Sequence, residues 1–120
     1  MTVTDHLDSR FAPVGRGNAH YSMSTELYSP HLTVVRVTGD LDLRSRSVLA
    51  QVLDDALATK TVVLLDLSDV TFMYSGAGYV VLDAAAHSAG RLEVFAPTRP
   101  ARRVLEALGA ATIVADPRAA

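Results

Sequence analysis

The fold of this chain is decided by the stretch Thr61-Val-Val-Leu-Leu-Asp-Leu-Ser-Asp-Val-Thr-Phe-Met-Tyr-Ser-Gly-Ala-Gly-Tyr-Val-Val-Leu82. Its first part, Thr61 to Leu67, is almost continuously apolar, which is typical of a strand that is central in a mixed sheet or covered on both faces. A turn at Ser68-Asp69 and an extended segment from Val70 to Met73 follow. A helix is then predicted from about Gly76 to His87. A buried strand that leads into a helix predicts an α/β domain.

The residues before this stretch predict two strands and a helix. Tyr21 to Tyr28 alternates loosely, as an edge strand does, and Leu32 to Thr38 is rich in β-branched residues after a turn at Ser29-Pro30. Apolar residues then recur at helical spacing as far as Leu57. Ser45 is placed to cap this helix by accepting a backbone N–H.

The residues after the stretch predict one more strand and one more helix. Arg91 to Ala96 reads as a strand, and a third helix opens at Thr98 and ends at Gly109. Thr112 to Val114 is a candidate for a short closing strand. The predicted fold is an α/β domain with a single-layer mixed β-sheet, helices packed against it, and the order β-β-α-β-α-β-α.

The same patterns predict the domain boundaries. Residues 1–19 are polar and are broken by Pro13, Gly15 and Gly17, which predicts a flexible N-terminal tail. Residues 20–116 form the predicted domain, and residues 117–120 form a C-terminal tail. A length of 120 residues, 49% of them apolar, suffices for one packed core.

Composition narrows the function classes. The chain has no cysteine, which excludes disulfides, thiolate metal sites and a cysteine nucleophile. Its net charge is −2, and the group Arg99, Arg102 and Arg103 is too small to argue for direct nucleic-acid binding. The four histidines are scattered, so neither a metal site nor a cofactor is expected. No signal peptide or membrane-inserting segment is recognisable, and we expect a cytoplasmic location.

Ser75 is the most informative polar residue. It lies where the buried strand ends and the second helix begins, and the small residues Gly76, Ala77 and Gly78 that follow allow another backbone to approach closely. Helix starts present unpaired N–H groups and a partial positive charge, so a phosphate on Ser75 is accommodated there. The plainer interpretation is that Ser75 only caps the helix.

Other candidates for chemistry are weaker. Asp40 and Asp42 follow a strand, as the paired aspartates of some phosphatases do, but a supporting lysine and further Mg²⁺ ligands are missing from the expected order. Ser75 lacks the flanking glycines of a nucleophile elbow. The run Gly76–Gly78 lacks the third glycine of a phosphate-binding fingerprint. We therefore predict no catalytic residue and no enzyme.

Several segments together resemble one known family, the STAS domain, over residues 21 to 115. The segments are Val35-Arg-Val-Thr-Gly-Asp-Leu-Asp42, Val62-Val-Leu-Leu-Asp-Leu-Ser-Asp-Val-Thr-Phe-Met73, Ser75-Gly-Ala-Gly78, Gly90-Arg-Leu92 and Arg102-Arg-Val-Leu-Glu-Ala-Leu-Gly109. The order of the Gly-Asp-Leu-Asp and Asp-Leu-Ser-Asp-Val-Thr-Phe motifs is specific in combination, whereas neither motif alone is.

The resemblance implies a regulatory mechanism. Stand-alone bacterial members bind an anti-sigma factor that is also a serine kinase of the HATPase type, and this binding frees a sigma factor. Phosphorylation of a serine at the start of the second helix then breaks the complex. By resemblance, Ser75 is the phosphorylated residue. The partner-binding residues are Asp40, Asp42, Tyr74, Ser75, Gly76, Ala77 and Gly78, on a protein that is a monomer or weak dimer.

The chain departs from the family pattern at the switch itself. The family usually has Asp-Ser-Ser-Gly where this chain has Tyr74-Ser75-Gly76, one residue shorter. Counted from Phe72-Met73, Ser75 matches the phosphorylated first serine. Counted back from the glycines, Ser75 matches the second serine, and Tyr74 falls on the switch position. This departure favours one alternative, an unphosphorylated STAS subunit of a larger complex, such as a stress complex or a lipid-transport ATPase. A separate alternative is a small phosphatase built on Asp40 and Asp42.

Overall fold

The computed structural model describes residues 14–17 and 20–110. The candidate strand at Thr112–Val114 and the predicted C-terminal tail lie outside the described residues, as does the predicted N-terminal tail apart from residues 14–17. Within the described part, the strands and helices are β1 (Val14–Gly17), β2 (Tyr21–Ser29), β3 (Leu32–Leu41), α1 (Arg46–Leu57), β4 (Val62–Met73), α2 (Ser75–Ala86), β5 (Leu92–Phe95) and α3 (Arg99–Ala107). A single 3₁₀ turn, Leu43–Ser45, leads into α1.

The strands form one mixed sheet in the order β1-β2-β3-β4-β5. The pairs β1/β2 and β2/β3 are antiparallel, whereas β3/β4 and β4/β5 are parallel. Parallel neighbours require a crossover connection, which α1 and α2 supply. The predicted α/β class and element order are therefore confirmed, with the short strand β1 added at the edge.

Strand β1 lies inside the segment for which the sequence predicts a tail. Its residues Val14–Gly17 pair with Ser22–Thr25 of β2. Glycine weakens a strand, so Gly15 and Gly17 predict a break when they are considered locally. The neighbouring strand nevertheless supplies a hydrogen-bonding edge, and four residues pair with it.

Strand β4 runs straight through the predicted turn at Ser68-Asp69. Asp66 makes this possible, because its Oδ1 accepts hydrogen bonds from Ser68 N at 3.0 Å and from Ser68 Oγ at 2.6 Å. The β3/β4 register shifts here, with Arg36 and Thr38 opposite Asp66 and Asp69. The polar pair thus produces a β-bulge within the strand and not a reversal of the chain.

The hydrophobic core lies between one side of the sheet and the three helices. It contains Val37 of β3 and Leu65 of β4, together with buried residues from every helix: Leu49, Leu53, Ala77, Val81, Ala101 and Leu105. Because β5 pairs with β4 only over Val63–Asp66, no strand among the described residues pairs with the second half of β4 on that side. Helix α3 packs against β4 and α2.

The end of β3 is held close to the start of β2 by Gly39. This glycine has φ +86°, a conformation that favours glycine, and an added Cβ would meet the His20 carbonyl oxygen and, at 3.0 Å, Tyr21 Cα. The neighbouring Asp40 N donates to His20 O at 2.9 Å. Gly39 therefore fixes the path by which the chain enters the Asp40–Asp42 turn.

We predict that Gly39→Ala lowers the free energy of unfolding by about 2–4 kcal/mol, since backbone strain and overpacking add. Gly90→Ala is the matched control, because Gly90 has φ +81° but nothing within 4 Å of an added Cβ. The free energy of unfolding of Gly90→Ala should fall by only about 1 kcal/mol. Urea denaturation of both variants measures the difference, and equal losses would contradict the close approach at Gly39.

Candidate partner-binding site

The ends of β3 and β4 meet at one edge of the sheet. Leu41 and Met73 are register partners, and Tyr74 N donates to Leu41 O at 3.0 Å. The turn after β3 and the start of α2 therefore lie side by side, although about thirty residues separate them in the sequence. The structure brings the two predicted halves of the site together.

Asp40 ties the two strands to each other. Its Oδ1 accepts a hydrogen bond from Thr71 Oγ1 at 2.9 Å, across the β3/β4 pair. The carboxylate therefore positions the exposed end of β4, immediately before the start of α2.

Asp42 organises the turn that follows. Its Oδ1 accepts from Arg44 N at 3.0 Å, and its Oδ2 accepts from Arg44 Nη2 at 2.7 Å and Nε at 3.1 Å. The side-chain hydrogen bond from Arg44 is the largest influence on this carboxyl group, and it lowers the pKa of Asp42. The same bond raises the pKa of Arg44. Asp42 is thus held ionised at the head of the 3₁₀ turn.

Ser45 differs from its predicted role as a side-chain cap. It is buried, and its hydroxyl donates to the carbonyl oxygens of Asp42 at 3.1 Å and Asp40 at 3.3 Å. It makes no side-chain cap bond to α1. The reason is the intervening 3₁₀ turn, which places Asp42 at the cap position of the connection.

Tyr74 occupies the N-cap position of α2. Its backbone is extended, with φ −90° and ψ 161°, and its carbonyl oxygen accepts from Ala77 N at 3.1 Å and Gly78 N at 3.3 Å. The side chain makes no cap bond; its ring lies over Gly76, where an added Cβ would collide with it. The Tyr74 hydroxyl is buried and has no hydrogen-bond partner among the described residues.

Ser75 is the first residue of α2 and is exposed. Tyr74 holds the cap position, so the interpretation of Ser75 as a helix cap is wrong. In the part of the chain that the structure describes, the Ser75 hydroxyl makes no hydrogen bond. It is therefore presented to solvent at the positive end of a helix.

Ala77 and Gly78 point inward instead of forming a contact surface. Ala77 is fully buried, and Gly78 is buried so closely that an added Cβ would lie 3.0 Å from Val104 Cγ1 and 2.7 Å from Leu108 Cδ1. Their predicted partner-binding role is corrected to a packing role: they allow α3 to approach α2. Asp40, Asp42, Tyr74, Ser75 and Gly76 remain at the edge.

A family profile described as Mlab, STAS domain, matches residues 27–115. This chain belongs to the STAS domain family. The match spans most of the described residues and includes both halves of the site. A search of curated proteins finds no match.

Three solved structures share the fold. An anti-sigma factor antagonist from Mycobacterium paratuberculosis has a TM-score of 0.69 at 21% identity, covering 78% of this chain and 81% of that one. The anti-sigma factor antagonist SpoIIAA in its unphosphorylated form has a TM-score of 0.68 at 16% identity, covering 81% and 90%. The Bacillus cell fate determinant SpoIIAA in the phosphorylated form has a TM-score of 0.64 at 19% identity, covering 81% of this chain and 94% of that one. At these identities the likeness establishes the fold.

The side chains allowed at positions 74 and 76 are limited by their contact. A side chain at position 76 would occupy the space that the Tyr74 ring fills. A serine cannot stand at 76 while the ring remains there. The residues that can stand at positions 74 and 76 therefore depend on each other.

Three exposed apolar side chains lie on the elements that carry the site, and none of them was among the predicted site residues. Leu43 in the 3₁₀ turn is 71% exposed, Phe72 beside Asp40 is 49% exposed, and Tyr79, one turn after Ser75, is 60% exposed. Exposed apolar groups around a polar centre are typical of protein interfaces. The register at the end of β4 decides which way Phe72 points, so a local pattern gave no signal.

In residues 14–17 and 20–110, no group of three His, Asp or Glu side chains is arranged to hold a metal ion. Over the same residues, no helix has both the length and the apolar character needed to cross a membrane.

We predict that Tyr74 and Gly76 are energetically coupled. Gly76→Ala should lower the free energy of unfolding by about 1–2 kcal/mol, because the ring must leave its place. In a Tyr74→Ala background the same change should be neutral or stabilising, since alanine favours a helix over glycine. Tyr74→Phe, which keeps the ring and removes the unpaired hydroxyl, should stabilise by about 1 kcal/mol. Additive losses in the denaturation cycle would contradict the coupling.

We also predict that Arg44→Gln raises the pKa of Asp42 in the folded protein. Because the folded-state pKa lies below the unfolded value of about 3.9, the stabilising contribution of Asp42 is present above that pH. It is lost as pH falls through the folded-state pKa. An NMR titration of the side-chain carboxyl carbon measures this. Arg46→Gln serves as the control and should leave the pKa of Asp42 unchanged, because Arg46 makes no bond to Asp42.

Proposed function

We propose that this STAS protein is a regulatory protein of the anti-sigma factor antagonist type. It binds an anti-sigma factor that is also a serine kinase, releases a sigma factor, and is switched by phosphorylation of Ser75. The observation that carries this proposal is the exposed Ser75 hydroxyl at the first position of α2, without a hydrogen bond among the described residues.

The position suits a phosphate that acts as a switch. A kinase can reach an exposed hydroxyl without unfolding the helix, and the N–H groups at the start of α2 favour a negative charge. The surrounding surface includes the exposed apolar side chains of Phe72 and Tyr79. A phosphate carrying about −1.5 to −2 charge would be costly to desolvate when a partner covers that surface. Phosphorylation would therefore release the partner.

The Asp40–Asp42 turn supports the proposal as the second half of the docking surface. The Leu41–Tyr74 backbone bond fixes the turn beside Ser75, and Arg44 holds Asp42 in the ionised form. A partner would meet a rigid edge with a carboxylate on one side and the serine on the other. Pre-organised surfaces of this kind lose less conformational freedom on binding.

An unphosphorylated STAS subunit of a larger complex is the second candidate. Tyr74 and Gly76 favour it, because they replace the acidic residue and the second serine of the usual motif, and the ring over Gly76 keeps a serine out of that position. The two candidates share the docking edge and differ in the partner that it binds and in whether Ser75 is phosphorylated.

We expect the protein to gain one phosphate on incubation with ATP and the kinase recovered with it from its own cells. Ser75→Ala should abolish the gain, and Ser75→Glu should weaken partner capture at least tenfold. Ser47→Ala is the matched control, because Ser47 is also an exposed serine near the start of a helix. Intact-mass spectrometry and affinity measurements give the readout.

Three outcomes are distinguishable. A phosphate that is absent from the Ser75→Ala variant only supports the switch. Partner capture without any phosphate gain supports the unphosphorylated subunit. A phosphate gain that persists in Ser75→Ala contradicts the assignment of the modified residue.

A further inference from the structure

A shallow groove of about 300 Å³ separates α1 from α2. Both helices are crossovers between parallel strands, so they run in the same direction and begin at the same edge as Ser75. Helix α1 lines the groove with every fourth residue, namely Arg46, Ala50 and Asp54. Helix α2 lines it with Gly76, Val80 and Ala84 at the same spacing, and with Tyr79 and Asp83.

The charges in the groove are separated along its length. Arg46 lies at the end near Gly76, whereas Asp54 and Asp83 lie toward the other end. In the described part of the chain, neither Arg46 nor Asp54 makes a side-chain hydrogen bond or ion pair. In the same part of the chain, the only ionic partner of Asp83 is His87, whose Nδ1 is 3.6 Å from Asp83 Oδ1. The groove therefore has a cationic end and an anionic end. Among the described residues, neither end is neutralised by an ion pair between α1 and α2.

These charges do not stabilise the helices that carry them. A helix is stabilised by acidic residues in its first turn and basic residues in its last turn. Helix α1 begins with Arg46 and has no acidic residue in its first turn, and neither α1 nor α2 has a basic residue in its last turn. Asp54 and Asp83 instead fall in the carboxyl-terminal halves. The arrangement opposes both macrodipoles, so helix stability does not account for it.

The middle of the groove is small and apolar. Ala50, Val80 and Ala84 line it, and at the upper end the ring of Tyr74 fills the space beside Gly76. Small residues allow an incoming helix to approach closely, and residues spaced by four form the ridges into which another helix packs. From Arg46 to Asp54 the groove is about 12 Å long at 1.5 Å per residue, which is about two helical turns.

We propose that this groove receives an amphipathic α-helix of a partner protein. The docked helix carries an acidic residue against Arg46 and a basic residue, seven or eight positions away, against Asp54 and Asp83, with an apolar stripe between them. The inference deepens the proposed function, on which it rests for the identity of the partner, because Gly76 connects the groove to Ser75.

The test uses ¹⁵N-labelled protein and synthetic helical peptides with one apolar stripe and different end charges. One peptide carries Glu and Lys eight positions apart, and the others carry Glu at both positions or Lys at both. A helix can enter a groove in either direction, so the order of the charges does not matter. We expect the Glu/Lys peptide to bind at least ten times more tightly than either like-charged peptide. Its chemical-shift changes should centre on the groove.

Variants of the groove make the charge argument specific. Arg46→Glu and Asp54→Lys should each weaken the binding of the Glu/Lys peptide at least fivefold. The triple variant Arg46→Glu/Asp54→Lys/Asp83→Lys restores opposite ends in reverse and should recover the binding. Arg103→Glu on α3 is the matched control and should change nothing, because Arg103 is exposed and lies outside the groove. A scrambled peptide of the same composition that binds equally well would overturn the helix as occupant.

The outcomes separate this inference from the proposed function. If no peptide discriminates by end charge, the groove proposal is overturned. If the kinase partner binds the Arg46→Glu variant as tightly as the wild type while Ser75 still gains phosphate, the groove proposal fails and the proposed function stands. If no kinase partner or phosphate is found but the Glu/Lys peptide binds selectively, the proposed function fails and the groove remains a helix-binding site.

Discussion

The parallel pairing of β3 with β4 is the constraint on which the site depends. It runs from Leu32 opposite Val62 to Leu41 opposite Met73, and it passes two register shifts on the way. The last backbone bond, from Tyr74 N to Leu41 O, places the Asp40–Asp42 turn beside the start of α2. Without this register, the Asp40–Asp42 turn and the start of α2 would be separate features of the chain.

Tyr74 shows how a helix start can change its chemistry while keeping its geometry. Its backbone performs the cap function, and its ring takes the space above Gly76. The hydroxyl is buried with no hydrogen-bond partner in residues 14–17 and 20–110, which has an energetic cost that a phenylalanine would avoid. The cost is offset by the packing of the ring against the core. Ser75 is thereby left as the exposed hydroxyl at the first position of the helix.

The sequence predicted those parts of the structure that depend on local pattern. The apolar run to Leu67 identified the central strand, and helical spacing identified α1 through α3. It failed where a neighbour in space decides the outcome. Strand β1 exists because β2 offers an edge, and Asp66 converts the expected turn at Ser68 into a bulge. The burial of Ala77 and Gly78 follows from the close approach of α3, which no local spacing reveals.

Ser75 and the groove between α1 and α2 are physically linked through Gly76. If both proposals hold, a phosphate on Ser75 acts on the partner in two ways. It adds charge to a surface that docking must desolvate. It also places an anion near the end of the groove where Arg46 would bind the acidic residue of the docked helix. The phosphate then competes for the cation that the partner needs. One modification at the edge of the sheet would weaken contacts along the whole groove.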